Sequence, residues 1–143
     1  MRRTLIAAIA VSAIAVSAIA IPAHAAAPIT GQWVTQSGNA IVTIEPCGAS
    51  VCGKISKIIR PDPKGNGTDQ KNPEPQLRSR PILGLQIIPA FTDAGKDWRG
   101  QIYSPEAGRS YKGYLSRQAD GSLKVTGCIA AFLCQNQKWT PAK

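Results

Sequence analysis

Arg78 and Arg80 stand two residues apart, and Pro81 behind them pushes Arg80 toward an extended conformation. In an extended chain, residues i and i+2 project on one side. Two guanidinium forks held side by side would clamp a carboxylate or a phosphate. The competing arrangement is structural: both arginines pair with Asp69, Glu74 or loop carbonyls and pin a long polar loop. Asp69 and Asn72 offer the oxygen ligands that calcium takes, but the alternating acidic ligands and closing Glu of a calcium loop are missing. Short polar side chains of this kind commonly bond their own backbone instead. Glycosidase chemistry needs two carboxylates about 5–9 Å apart. Among the 8 acidic residues only distant pairs such as Glu45 and Glu106 offer themselves, so a carboxylate-dependent hydrolase is the third reading and not the first.

Imidazole chemistry is constrained more tightly, because the chain has a single histidine, His24. It lies in a segment with the build of an export signal. Arg2 and Arg3 supply positive charge, Leu5 to Ile21 is an unbroken Ala/Ile/Val/Ser run, and Pro22 precedes the small-x-small pattern Ala23-His24-Ala25. The run is shorter than the ~20 apolar residues a membrane span needs, and no basic stop-transfer cluster follows it. Cleavage after Ala25 is therefore expected, giving a signal over 1–25 and one domain over 26–143 in the periplasm or outside the cell. The mature chain then has no histidine. It cannot assemble a Ser-His-Asp or Cys-His site, and it lacks the commonest ligand of zinc and copper. The expectation is a non-enzymatic protein with no metal, no cofactor and no transmembrane segment after processing.

Four cysteines, Cys47, Cys52, Cys128 and Cys134, lie beyond the cleavage point, an even number in an oxidising compartment. Three pairings are possible. Cys47–Cys52 and Cys128–Cys134 are favoured, since each pair flanks a short segment that reads as a hairpin turn. A zinc site with four thiolates competes, but its knuckles normally have narrower spacings. Processing leaves 15 Lys and Arg against 8 acids, a formal charge of +7. The basic residues are spread from Lys54 to Lys143 without a run or aromatic interleaving. A soluble basic surface accounts for them better than nucleic acid, for which no recognition motif is present.

The elements that must position these groups are short strands. Gly31–Thr35, Ala40–Glu45 and Val51–Ile59 are rich in β-branched residues and separated by turn residues. A Pro/Gly-laden loop from Arg60 to Gln76 follows, longer than the about 12–15 residues a compact domain normally carries without reason. Ile82–Phe91, Trp98–Ser104, Arg109–Arg117, a strand from Leu123 and Cys134–Thr140 complete the set. Eight strands joined by hairpins predict an all-β fold: a single antiparallel up-and-down barrel with a long loop after the third strand. Such a barrel is just wide enough for side chains or one small ligand. Trp33 on the first strand is expected to plug one end, stacked on a basic side chain such as Lys138. Trp98, Tyr103, Tyr111 and Tyr114 are candidates to line a pocket, or are core and cross-strand pairs.

Several blocks occur in one order: Gly31-x-Trp33, Ile44-Glu45-Pro46-Cys47-Gly48, Cys52-Gly53-Lys54-Ile55, Asn72 to Leu85, Ile102-Tyr103-x-Pro105-Glu106-x-Gly108 and Lys138-Trp139-Thr140. Together they resemble the DUF2147 family of exported bacterial proteins across nearly the whole mature chain. The resemblance implies a calycin-like barrel, related in architecture to lipocalins, and no established activity. Ser104 and Pro141 depart from the family pattern, the former where an Asp is expected. The first functional expectation is a small apolar or amphiphilic ligand in the barrel, with Arg78 and Arg80 near its mouth. The second is an envelope interaction module with a filled barrel and the long loop as its contact surface.

Overall fold

The computed structural model describes residues 23–143; the hydrophobic run read as an export signal, residues 5–21, lies outside them. Eight strands follow in order: β1 (Gly31–Val34), β2 (Ala40–Cys47), β3 (Ser50–Ile58), β4 (Gln86–Asp93), β5 (Trp98–Ser104), β6 (Arg109–Arg117), β7 (Leu123–Ala130) and β8 (Leu133–Pro141). Each pairs antiparallel with the next, and β1 returns to β8 through Trp33↔Pro141 and Val34↔Thr140, closing the barrel. Closure removes the edges that an open sheet would expose to other chains. Because direction alternates, the connections at 35–39, 59–85, 105–108 and 131–132 gather at one end. The lead segment, the turns at 48–49, 94–97 and 118–122, and the C-terminus gather at the other.

Period-two alternation decides what fills the interior. Trp33, Val42, Ile44, Phe91, Leu115, Leu123 and Trp139 are fully or almost fully buried, and their strand neighbours face out. Phe91 is opposite Gly100 in register, and its ring also reaches the inner wall at Gly113, where an added Cβ would lie 2.6 Å from Cζ. Gly53 likewise lies against Ile88 and Ile44. Glycines on the wall thus make room for large side chains on the opposing strands, and the barrel is filled over this part of its length.

The fourth strand departs from expectation. It begins at Gln86, not Ile82, because Gly84 takes a left-handed turn at φ 85°. The Gly84 N–H donates to the Ile55 carbonyl at 2.7 Å, and the Ile55 N–H donates to the Leu85 carbonyl at 2.9 Å. Inside the strand, Val51↔Phe91 and Gly53↔Ile88 leave three steps of β4 against two of β3. The extra residue falls at Pro89-Ala90, a bulge that tolerates a proline without a ladder hydrogen bond. It also lets Ile88 and Phe91 both face inward. A short 3-10 turn, Pro75–Leu77, interrupts the long loop, with Pro supplying its first turn.

Cys47 is bonded to Cys52 across the β2–β3 turn, and Cys128 to Cys134 across the β7–β8 turn. These turns lie at opposite ends of the barrel, so the four sulfurs cannot meet at one zinc ion. Closing so small a loop contributes about 2 kcal/mol. Replacing Cys128 and Cys134 by Ser is therefore expected to lower the melting temperature by about 8 °C. Thermal unfolding followed by circular dichroism checks this; an unchanged midpoint would mean the unfolded hairpin is already ordered.

Candidate functional site

The inner row of the barrel runs up β6 through Leu115, Gly113 and Tyr111, and beside it through Val125 and Gly127 on β7 and Gln137 and Gln135 on β8. Leu115, Gly113 and Val125 in its lower part are buried. The upper members open into a cleft of about 300 Å³, lined by Tyr111, Gly127, Ile129, Phe132, Leu133 and Gln135. Gly127 creates part of this space: a Cβ there would touch the Tyr111 Cβ at 3.4 Å. Ile129, Phe132 and Leu133 are 66%, 84% and 55% exposed, the largest apolar exposures of the described residues apart from Leu83. Turn residues are normally polar, and a contiguous exposed apolar run is a mark of binding. The Cys128–Cys134 bond holds the run at the hairpin tip, where a register shift between Cys128 and Ala130 adds twist. Arg109, two residues beyond Tyr111 in the same row, stands exposed on the rim. None of the three ion pairs among the described residues includes it.

Arg78 and Arg80 do not form a clamp. The 3-10 turn leaves Arg78 in a helical conformation, φ −68° and ψ −21°, so the extended i, i+2 geometry never arises. The Arg78 Nε donates to the Asn72 carbonyl at 2.7 Å. Arg80 turns to Asp69, with Nε at 2.9 Å and Nη2 at 2.8 Å from Oδ2. Asp69 is fully buried. It also accepts from the Tyr103 hydroxyl at 2.6 Å and from Asn72 Nδ2 at 2.8 Å, and Asn72 Nδ2 donates to the Tyr103 oxygen at 2.9 Å. Burial works to raise the Asp69 pKa, but the hydrogen bonds from Tyr103, Asn72 and Arg80 outweigh it and hold the carboxyl below its ordinary value. The same burial and the Asp69 carboxylate push the Tyr103 hydroxyl up. Arg80 also lies 5.4 Å from the Tyr103 ring centroid. Tyr103 is on the outer face of β5, so this cluster straps the loop against the outside of the wall. With both oxygens of Asp69 engaged, the Asp69–Asn72 pair shapes the loop and presents no open cation cage. A shallow hollow of about 470 Å³ lies beside the strap, lined by Asn66, Thr68, Gln70, Pro75, Arg78 and Ser79.

The other sequence candidates scatter. Trp33 closes the end opposite the cleft, 1% exposed, with its Nε1 donating to the Ile29 carbonyl at 2.9 Å. The cation over its ring is Arg117, at 4.8 Å, and not Lys138, which instead bonds Asp120 at 2.7 Å. Arg117 belongs to the inner row of β6 and so points down onto Trp33, whereas Lys138 alternates outward. Trp98 sits at the same closed end, its Nε1 donating to the Ala27 carbonyl. Tyr114 faces out between Arg99 and Lys112. Only Tyr111 of the aromatic set reaches the cleft. Glu45 near the β2–β3 turn and Glu106 in the β5–β6 turn stand at opposite ends, too far apart to flank one glycosidic bond. Sequence reasoning missed Gly127, Ile129, Phe132, Leu133, Arg109 and Arg117. The available signal was the apolar stretch Ile129-Ala130-Ala131-Phe132-Leu133 between two cysteines, at a position where a turn calls for polar residues.

Residues 31–141 match the family described as "Uncharacterized protein conserved in bacteria (DUF2147)". No curated protein matches the chain in sequence. Among solved structures the barrel is similar to protein HP1028 of Helicobacter pylori, described as belonging to the lipocalin family. The TM-score is 0.70 at 18% identity, covering 81% of this chain and 84% of that one. At that identity the likeness is one of fold.

Proposed function

The chain belongs to the DUF2147 family, and from that premise we propose that it is an exported, non-catalytic binding protein that takes the apolar part of a small amphiphile into the mouth of its barrel. One observation carries the reading: at the cleft between Tyr111 and the β7–β8 tip the inner row of the barrel opens, and exposed apolar side chains line the opening. Its volume is at the lower limit of ligand pockets, about 300–1,000 Å³, which suits a single tail and not a bulky ring system. The Phe91 ring, against Gly113 directly below Tyr111 in the row, blocks deeper entry, so the ligand lies in the mouth with its head at the rim. Arg109 stands there as an unpaired cation, favouring an anionic head. The lipocalin-like barrel is a scaffold compatible with this use, and the chemistry rests on the residues lining the cleft.

Titration of the exported protein with a fluorescent long-chain fatty acid is expected to saturate. Gly127→Leu fills the cleft and should weaken binding at least ~10-fold with little change in melting temperature. Arg109→Gln should weaken the acid about 5–10-fold while leaving the alcohol of the same chain length unaffected. A non-saturating titration, or equal binding by Gly127→Leu, overturns the proposal. The second reading is an envelope module whose filled barrel presents Phe132 and its neighbours to another protein. It draws on the same exposed tip and predicts that native mass spectrometry finds the extracted protein without small-molecule mass.

A further inference from the structure

The segment before β1 forms no strand, yet it is fastened to the closed end at every second residue. The Ala27 carbonyl accepts from Trp98 Nε1 and the Ile29 carbonyl from Trp33 Nε1, each at 2.9 Å. Ile29 is completely buried and Ala26 is 8% exposed, whereas Ala23, His24 and Ala25 are all exposed. The change from exposed to anchored chain falls between Ala25 and Ala26. At that point the Ala26 nitrogen lies 2.9 Å from Oδ1 and 3.1 Å from Oδ2 of Asp93.

A peptide nitrogen has one hydrogen and satisfies one acceptor well. A carboxylate with both oxygens in reach of one nitrogen is the arrangement suited to an ammonium, which has three hydrogens and a full charge. Asp93 is itself held for the task, since its Oδ1 accepts from the Gly95 N–H at 2.7 Å across the β4–β5 turn. None of the three side-chain ion pairs among the described residues includes Asp93. Arg99, opposite Thr92 in register, is committed to Asp97. Ala23-His24-Ala25 carries the small-x-small pattern that signal-removing peptidases cut behind.

We propose that Asp93 is the receptor for the mature amino terminus. Hydrolysis of the Ala25–Ala26 peptide bond consumes one water, leaves a carboxylate on Ala25 and frees the Ala26 nitrogen as an α-ammonium. That ammonium pairs with Asp93 and completes the closed end of the barrel over Trp33 and Trp98. In the unprocessed chain the same nitrogen is a neutral amide, so the barrel is finished only once the leader is removed. The inference is independent of what the cleft at the other end binds.

The test is made on the full chain expressed with its own leader and recovered after export. Intact mass is expected to place the amino terminus at Ala26. Asp93→Asn in that processed protein should lower the melting temperature by about 5 °C. The same substitution in a chain made without export, beginning Met-Ala-Ala ahead of Ala26, should cost less than half as much, since only a hydrogen bond from a neutral amide is weakened. A mass that begins at another residue overturns the assignment. An Asp93→Asn cost that is equal in the two forms overturns it as well, because the carboxylate would then serve the turn alone. Asp93→Glu, which keeps the charge, should recover part of the loss in the processed form only.

Discussion

Asp69→Asn is expected to lower the melting temperature by about 10 °C and to open the loop between β3 and β4 to proteases. The side chain keeps its size, but one of its oxygens becomes an NH₂ group facing donors. Arg80 and Asn72 both donate to Oδ2, so an NH₂ turned to that side meets two donors; turned to the Oδ1 side it forces the Tyr103 hydroxyl to accept and give up its own hydrogen bond, and the charge facing Arg80 is lost either way. Removing one partner from a buried charged cluster costs about 3–5 kcal/mol; Arg80 is 35% exposed and regains some hydration, which brings the expectation to about 3 kcal/mol. The same cluster sets an acid limit. Because the Asp69 pKa is depressed in the folded protein, the carboxylate's contribution is fully present above the unfolded value of about 3.9 and is lost as pH falls through the folded one. Asp69→Asn should therefore flatten the acid limb of a stability–pH profile. Melting curves from pH 7 down to pH 2, read with limited proteolysis at Arg60 to Arg80, check both points. A variant that melts like the parent with an intact loop would show that the strap is held elsewhere.

Gly113→Ala is the second large effect, and its value lies in what rescues it. An added methyl would sit 2.6 Å from Cζ of Phe91 and 3.2 Å from Cγ2 of Ile102. Overpacking of this kind costs about 1–3 kcal/mol. The offending atom is the far end of a side chain, so Phe91→Leu removes it. In the Phe91→Leu background the Gly113→Ala cost is expected to fall below about 1 kcal/mol, a coupling that a double-mutant cycle reads directly. Gly100→Ala behaves differently. Its methyl would run into the Ala90 carbonyl oxygen as well as the Phe91 ring, and a ladder carbonyl does not step aside. That variant should stay unfolded or poorly folded with either residue at position 91. If Phe91→Leu fails to rescue Gly113→Ala, the ring is not what fills the barrel at that level.

Much of the architecture was legible from local chemistry. Strand boundaries at Trp98–Ser104 and Arg109–Arg117 follow from Pro105-Glu106-Ala107-Gly108 between two β-rich segments, where turn residues and alternation agree. The cysteine pairing that the sequence favoured among three is the one observed, each hairpin bringing its own two sulfurs together. Ile82–Leu85 misled, since an apolar run reads as strand whether it pairs or packs as a turn. Only the hydrogen bonds of Gly84 and Leu85 to Ile55 distinguish the two. Arg78 and Arg80 misled for a related reason: the rule for the residue before proline describes Arg80, but the turn over Pro75–Leu77 had already rotated Arg78 away.

The sequence alone determined an all-β chain and a meander of hairpins, because turn residues and alternation act between neighbours in the chain, and it showed directly that no histidine follows residue 24; the cysteine pairing it favoured without deciding. Tertiary structure decided which cation covers Trp33, which carboxylate receives Arg80, and that Tyr111, of the strand aromatics singled out in the sequence, opens onto a cleft. Those outcomes depend on the inward or outward parity of strands far apart in sequence, and on where a bulge shifts it. Parity is set by register across the closed barrel, which no local pattern contains.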